Sequence, residues 1–188
     1  MSVDDLYQGV SFTPLKIYEF IRWQSPNPGR VKLNFDGSLQ NNSAAGGFIL
    51  RDWRRAALLT GAANYGSTLI LVVDGHALRD GLQATVAAGY KRLDIEGDNL
   101  ILIEAIQGKS TIPWQIKFII HDIHTMLSQI DQVQVNHIFR EANMAADWLS
   151  KYSHSITGTI LGVDCGNIAL RNVVHDDMLG RTLVRRGV

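Results

Sequence analysis

Cysteine is almost absent from this chain, which has a single one, Cys165, among 188 residues. One cysteine cannot form an internal disulfide, and it cannot build a zinc site of the kind that cysteine pairs provide. Such sparse use of cysteine is typical of proteins that work in a reducing compartment. We therefore expect an intracellular protein, and the sequence leaves both the nucleus and the cytoplasm open.

Long apolar runs are also missing. The longest, Leu69 to Val73, is far shorter than the about 20 residues that a membrane-spanning helix needs. Acidic residues Asp4 and Asp5 stand near the start of the chain, where a secretory signal would carry basic residues before an apolar segment. We therefore predict that the protein neither spans a membrane nor begins with a signal segment.

The chain has no excess of either charge, because 18 Lys and Arg balance 18 Asp and Glu and the pI is about 7.0. Proteins that bind nucleic acid through general attraction to phosphate are usually basic. Any nucleic-acid binding should therefore be modest or depend partly on metal ions. Hydrophobic residues make up 46% of the chain, enough for the core of one domain with extensions, and we expect a monomer.

The pattern of apolar residues predicts an α/β fold. Residues 31–36 alternate between apolar and polar side chains, as in a half-buried strand. Two more strands are predicted at residues 45–51 and 56–62, and their short connections favour an antiparallel meander. Further strands are predicted at residues 92–96 and 133–138, and helices at residues 77–89, 99–107, 113–130 and 142–152. This order predicts a mixed sheet with helices on its faces.

The two ends of the chain differ from the middle. Residues 1–29 finish in a segment rich in Pro and Gly, which is typical of a linker, although spacing within residues 14–23 permits a short helix. Residues 154–188 show no helical period. We therefore predict a domain at residues 30–153 between an N-terminal extension and a C-terminal tail.

Four aspartates, Asp36, Asp74, Asp98 and Asp147, are each predicted at the end of a strand or the start of a helix. Taken singly, each is a common turn or N-cap residue. Brought together, two such charges about 4 Å apart repel by about 4 kcal/mol at an effective dielectric constant of 20, so a cluster requires cations. Oxygen ligands suit Mg²⁺ or Mn²⁺, and pairs of such ions cut phosphodiesters.

Four stretches carry a resemblance to a known family: residues 28–38, 46–52, 77–82 and 137–151. Together they resemble ribonuclease H domains, most of all those of plant non-LTR retroelements. The resemblance implies a five-stranded mixed sheet with helices on both faces. It also implies a centre of four carboxylates that holds two divalent ions and hydrolyses the RNA strand of an RNA–DNA hybrid.

The resemblance assigns roles to individual residues. Asp36, Asp98 and Asp147 match three of the family's carboxylates, and Asp74 stands where the family has glutamate. His137 matches a mobile histidine that assists proton transfer or product departure. Contacts with the nucleic acid are expected from Gly37, Ser38 and Asn143.

The aspartate at position 74 leaves rival functions open. Its side chain is shorter than that of glutamate by about 1.5 Å, and a misplacement of about 1 Å can cost a hundredfold in rate. An inactive domain that binds nucleic acid or a protein is therefore an alternative, and so is a retroelement relic without a selected role. A 3′–5′ exonuclease is disfavoured because Asp36-Gly37-Ser38 lacks the Asp-x-Glu pair of that class.

Several other side chains receive weaker predictions. We interpret Trp114 as a core residue, and Arg140 and Glu141 as an ion pair. Arg51, Arg54 and Arg55 follow the second predicted strand, where they either contact phosphate or form a solvated turn.

Overall fold

The computed structural model describes residues 18–162 and 168–186. The strands are β1 (Tyr18–Ile21), β2 (Val31–Gln40), β3 (Ser43–Asp52), β4 (Ala57–Asn64), β5 (Arg92–Gly97), β6 (Gln132–His137), β7 (Thr159–Gly162) and β8 (Leu183–Arg186). The α-helices are α1 (Ile70–Ala87), α2 (Leu100–Ile106), α3 (Lys117–Leu127), α4 (Met144–Tyr152) and α5 (Ile168–Met178). Within these residues, every helix is too short or too polar to cross a membrane.

The central sheet is mixed, and its strands lie in the order β6-β5-β2-β3-β4-β7. β2, β3 and β4 form the predicted antiparallel meander, whereas β5 pairs in parallel with β2 and β6. The expected α/β fold is therefore confirmed, but the sheet has six strands and not five. The sixth, β7, comes from the predicted tail and pairs antiparallel with residues 60–63 of β4, which covers an edge that would otherwise be open.

The main core lies between the sheet and helices α1, α2 and α3. Alternate residues of β2, namely Val31, Leu33 and Phe35, are buried on this side of the sheet. They belong to the same hydrophobic cluster as Leu78 and Leu82, which are one helical turn apart on α1. The alternation read from the sequence therefore directs one face of β2 into the core and the other towards α4.

Helix α4 covers the opposite face of the sheet through a smaller apolar cluster. Gly47 on β3 permits this close contact, because a Cβ atom there would lie only 2.4 Å from Cβ of Leu149. Ile49, Ala62, Ala145 and Leu170 complete the buried part of the cluster. Leu170 belongs to α5, so part of the C-terminal segment is packed onto the domain.

Two of the four aspartates occupy different places within their elements from those predicted. Helix α1 begins at Ile70 and not at Ala77, which puts Asp74 in the second turn. Strand β2 continues to a tight turn at Asn41 and Asn42, both with positive φ, so Asp36 lies in the middle of the strand and not at its end. Both elements are longer than the local pattern indicated because tertiary packing extends them.

The terminal segments are ordered where they are described. β1 pairs with β8 as a separate antiparallel sheet, with Phe20 opposite Val184. The interpretation of the tail as lacking helical structure is wrong, since α5 lies within it. The short helix at residues 14–23 is replaced by strand β1 from residue 18 onward, and residues 14–17 lie outside the described residues. The domain boundaries at residues 29 and 153 stay predictions.

Candidate active site

Asp36 is the centre of a group of carboxylates, which we call the acidic cluster: Asp36, Asp74, Asp98 and Asp147. Asp36, Asp74 and Asp147 are buried, and Asp98 is partly exposed. The side chain of Asp36 points to the α4 side of the sheet, where it accepts a hydrogen bond from Ser150. Burial and the negative charges of the other three aspartates together raise the pKa of Asp36 to about 9, and the hydrogen bond from Ser150 opposes this change. The other three predicted carboxylates are therefore within electrostatic reach of Asp36.

Asp74 is held by neighbours on two elements. Asn99 Nδ2 donates to its Oδ2 at 2.6 Å, and the backbone N–H of Gly37 donates to the same carboxylate. Burial raises the pKa of Asp74 to about 6, the nearby charge of Asp98 raises it too, and the two hydrogen bonds oppose the change. Asp74 is thus part of the cluster although it is aspartate and not glutamate.

Gly37 has a steric reason to be glycine. A Cβ atom at this position would lie 2.6 Å from Oδ1 of Asp74 and 3.0 Å from its backbone nitrogen. The missing side chain therefore allows β2 and α1 to approach closely at the cluster. The contact with nucleic acid that the sequence assigns to Gly37 stays a prediction.

Asp98 and His137 lie side by side at the ends of two parallel strands. Asp98 directly follows β5, as predicted, and His137 is the last residue of β6, paired in register with Gly97. The Nε2 atom of His137 is 3.1 Å from the backbone oxygen of Asp98, and the imidazole is exposed. The parallel pairing therefore places a solvent-accessible histidine next to the cluster.

Asp147 differs from the other three carboxylates because two cations already neutralise it. Arg140 Nε donates to its Oδ1 at 2.9 Å, and Lys151 Nζ contacts its Oδ2 at 2.6 Å. The predicted pair of Arg140 with Glu141 is wrong, since Glu141 pairs with Arg185 at 3.3 Å. Adjacent residues of the 3₁₀ turn at Arg140–Ala142 do not face each other, whereas Lys151 lies one turn after Asp147 on α4.

Asn143 and Ser38 are held within the fold. Asn143 is fully buried and its Nδ2 donates to the backbone oxygen of Phe35 at 2.9 Å, so it positions the start of α4 against β2. The contact with nucleic acid that the sequence assigns to Asn143 stays a prediction. The Oγ atom of Ser38 is 3.1 Å from Nε2 of His154. The contact of Ser38 with nucleic acid stays a prediction.

Two polar residues that the sequence analysis missed hold carboxylates in place. Ser150 Oγ donates to Oδ2 of Asp36 at 2.6 Å, and Asn99 holds Asp74 as described above. A signal existed for each: Ser150 is one helical turn from Asp147, and Asn99 follows Asp98 at the N-cap of α2. Only the fold shows which carboxylate each residue meets.

The donor set of the acidic cluster suits hard divalent cations. Within the described residues, Asp36, Asp74 and Asp98 form no ion pair, and oxygen ligands with unbalanced negative charge favour Mg²⁺ or Mn²⁺. In residues 18–162 and 168–186, however, no three His, Cys, Asp or Glu side chains are close enough to hold an ion as they stand. The carboxylate oxygens are suitable ligands for such an ion, but the distances between them are too long. Binding of a metal would therefore have to draw the carboxylates together.

Two further predictions are wrong. Trp114 is 81% exposed at the start of a short 3₁₀ turn before α3, so it is not a core residue. Arg51 is 1% exposed, so it neither contacts phosphate nor belongs to a solvated turn. It lies in β3 and is buried against α5, where it donates to Asp177. Arg55 donates to the backbone oxygen of Met178.

Comparison with known sequences identifies a family match. Residues 34–153 match the family described as reverse transcriptase-like. An Arabidopsis thaliana protein with a provisional ribonuclease H name is 27% identical over 179 residues, or 94% of this chain. The chain spans only 29% of that protein's length.

Solved structures share the fold. Ribonuclease H1 of Halobacterium salinarum superposes with a TM-score of 0.63 at 22% identity, covering 67% of this chain and 98% of its own. An N-terminal ribonuclease H domain from Mycobacterium tuberculosis gives 0.64 at 18% identity, with 67% and 94% covered. The LC11 ribonuclease H1, solved in complex with an RNA/DNA hybrid, gives 0.61 at 21%, with 65% and 95% covered. At these identities the similarity establishes the ribonuclease H fold.

Proposed function

Since the chain belongs to the reverse transcriptase-like family and has the ribonuclease H fold, we propose that it is an endonuclease that hydrolyses the RNA strand of RNA–DNA hybrids with two divalent ions. The observation that carries this proposal is the acidic cluster, in which the charges of three aspartates oppose the ionisation of the buried Asp36. Like charges gathered in this way destabilise the ionised protein, and a cation is the ligand that would relieve the repulsion. The names of the relatives support the same class of activity.

The roles of the carboxylates follow from their surroundings. Asp36, Asp74 and Asp98 would hold the ions through their oxygens, and Asp147 would join them by exchanging its contacts with Arg140 and Lys151. Bound Mg²⁺ or Mn²⁺ would supply Lewis-acid activation of the phosphodiester and of water and would neutralise negative charge.

Other side chains would orient the reacting groups. Ser150 and Asn99 keep the carboxylates of Asp36 and Asp74 in fixed rotamers through hydrogen bonds of 2.6 Å each. His137 is exposed beside Asp98, where its imidazole would pass a proton to the departing 3′ oxygen. Recognition of the hybrid would rest on its shape and on 2′-hydroxyl groups and not on base sequence.

A second candidate function is a domain of this fold that binds nucleic acid or protein without efficient catalysis. The ion pairs of Asp147 favour it, because they compete with a metal for the fourth carboxylate. The short side chain of Asp74 acts in the same direction. Both candidates predict binding of hybrids, and only the first predicts hydrolysis.

Cleavage of a hybrid with either strand labelled distinguishes the candidates. The parent protein is incubated with Mg²⁺ and separately with Mn²⁺, and the Asp36→Asn variant serves as the matched control. We expect the parent protein to cut the labelled RNA strand and to leave the DNA strand intact. The Asp36→Asn variant should cut neither strand. If both strands stay intact with both ions while the hybrid is still bound, the noncatalytic candidate replaces the first.

A further inference from the structure

A cleft with a volume of about 710 Å³ lies beside the acidic cluster. One wall comes from the terminal segments, and the other from the end of β6 and the loop that follows it. The residues that matter here are Phe20, Arg22, Lys32, Glu96, His137 and Phe139. Because β1 and β8 lie outside residues 34–153, this wall is not part of the matched family domain.

The terminal wall is fixed to the sheet by buried contacts. Trp23, two residues after β1, is buried and donates from Nε1 to Oδ1 of Asn34 at 2.9 Å. The guanidinium of Arg51 stacks on the Trp23 ring at 3.6 Å and pairs with Asp177 of α5 at 2.6 Å. The strand β8 that follows α5 then pairs with β1. The cleft is therefore a formed feature of the fold.

The floor of the cleft is neutral and leads to the acidic cluster. Lys32 Nζ pairs with Oε1 of Glu96 at 2.5 Å, so neither charge is free. Lys32 lies four residues before Asp36 on the same face of β2, which corresponds to about 13 Å at about 3.3 Å per residue. His137 lines the cleft and also contacts the backbone of Asp98. The cleft therefore adjoins the acidic cluster through His137.

The walls carry exposed aromatic rings together with arginines. Phe20 is 75% exposed and Phe139 is 40% exposed, so both rings offer apolar surface to a molecule in the cleft. The guanidinium of Arg185 lies 4.3 Å from the centre of the Phe139 ring. Arg22 follows Phe20 by two residues and is exposed. Aromatic rings for bases and guanidinium groups for phosphates are the elements of single-strand binding sites.

We propose that this cleft binds single-stranded nucleic acid, with unpaired bases on Phe20 and Phe139 and phosphate on Arg22. A duplex is a poorer occupant, because its bases are stacked on one another and cannot reach rings on the walls. The site goes beyond the proposed function, since binding requires neither the metal nor hydrolysis. It would hold an unpaired extension of a hybrid next to the acidic cluster.

Fluorescence anisotropy in EDTA tests the cleft apart from catalysis. Short labelled RNA, the same sequence as DNA, and the corresponding blunt hybrid are titrated with the parent protein. Phe20→Ala is expected to raise the dissociation constant for single strands at least about fivefold, the lower bound for one stacked base. Arg22→Gln is expected to reduce the dependence of log affinity on log salt by about 0.7.

Phe118→Ala is the matched control, because Phe118 is 83% exposed on α3 and lies outside the cleft. It should bind single strands like the parent. Phe20 is so exposed that its truncation should leave the melting temperature unchanged, and Phe139→Leu provides a second variant that keeps an apolar side chain while removing the ring.

The outcomes separate the possibilities. Weaker single-strand binding by Phe20→Ala and Phe139→Leu, with Phe118→Ala unchanged, supports the cleft, and the RNA and DNA arms show which strand it prefers. The proposal is overturned if the parent protein does not bind single strands, or if Phe118→Ala loses as much single-strand affinity as Phe20→Ala. It is also overturned if the variants lose affinity only for the blunt hybrid. Because hydrolysis of blunt hybrids is measured separately with Mn²⁺, each proposal can fail alone.

Discussion

Two groups of polar side chains are centred on the same face of the sheet, one at Asp36 and the other at Arg51, and they are organised in opposite ways. The acidic cluster gathers like charges around Asp36. The other group, which we call the arginine network, consists of Arg51, Asp177, Asn34 and Trp23. Asp177 and Asn34 accept from the Arg51 guanidinium at 2.6 and 3.0 Å, and the Trp23 ring covers it.

The difference lies in whether the protein supplies the counter-charge itself. Burial lowers the pKa of Arg51 and raises the pKa of Asp177, and the attraction between the two charges opposes both changes. In the acidic cluster the other carboxylates act in the same direction as burial on the pKa of Asp36. A buried charge with its partner in the fold stabilises a packing arrangement, whereas unbalanced like charges indicate a site kept for a ligand.

Removing the counter-charge of the arginine network should have the largest effect. Asp177→Ala leaves Arg51 buried and unpaired, and breaking a buried ion pair in this way costs about 3–5 kcal/mol in the free energy of unfolding. Urea denaturation measures the loss. The neighbouring Asp176→Ala is the control, because the pair of Asp176 with Arg181 is exposed and should contribute about 1 kcal/mol at most. Equal losses in both variants would show that the network is not a buried anchor.

The next effect concerns the reach of the carboxylate at position 74. In Asp74→Glu the added methylene carries the carboxylate past Asn99 and Gly37 towards Asp36, so hybrid cleavage with Mn²⁺ should rise by up to about a hundredfold. Asp74 is only 4% exposed, so the longer side chain must displace its neighbours. Asp122→Glu on the exposed face of α3 should cleave at the parent's rate. Parent-like cleavage by Asp74→Glu would show that the short side chain does not limit the reaction.

The third effect is the pH dependence of stability without metal. The folded pKa of Asp36 is about 9 and its usual value is 3.8, so between these values the folded state binds more protons than the unfolded state. Stability in EDTA should therefore fall as the pH rises from about 4 to about 9. Asp36→Asn should flatten this fall and raise the melting temperature at pH 8 by at least several degrees, since about 1 kcal/mol corresponds to about 2–4 °C for a chain of this size.

Metal binding provides the complementary readout for Asp36→Asn. Calorimetric titration with Mn²⁺ should show binding to the parent and none to this variant. Asp122→Asn, which changes an exposed carboxylate, should keep the parent's pH profile and its titration. A variant that melts below the parent in EDTA and still binds Mn²⁺ would contradict the repulsion at the centre of the cluster.

The smallest effect concerns Asp147, the carboxylate of the acidic cluster whose charge is balanced by neighbouring cations, as in the arginine network. Replacing both cations of Asp147, in Arg140→Gln with Lys151→Gln, should tighten Mn²⁺ binding about twofold to thirtyfold, because two ion pairs with exposed cations, worth about 0.2–1 kcal/mol each, no longer compete. Lys117→Gln on α3 removes an unrelated exposed charge and should leave the affinity unchanged. Weaker binding in the double variant would mean that these cations organise the site and do not compete with the metal.

Much of the fold could be predicted because it depends on local patterns. The alternation in residues 31–36 anticipated which side chains of β2 enter the core, and the meander of β2, β3 and β4 followed from short connections. Where prediction failed, distant packing decided the outcome. Helix α1 begins early at Ile70, and the tail supplies β7, α5 and β8.

The residues of the candidate site were named from the sequence, and their role stays a prediction. Asp36, Asp74, Asp98 and Asp147 were named from their sequence contexts, and the other three act on the pKa of Asp36 in the structure. That Asp147 is neutralised by its neighbours could not be inferred, since it requires the orientation of side chains around α4.

By itself, the sequence determined the α/β class, the meander and the acidic residues, because these depend on neighbours within a few positions along the chain. The tertiary structure alone decided that Arg51 is buried, that Trp114 is exposed, and that the terminal strands form a wall beside the cluster. Arg51 and Asp177 are 126 residues apart, and no local pattern links them. Burial and ion pairing are properties of the space around a side chain, and that space is filled by residues whose positions only the complete fold fixes.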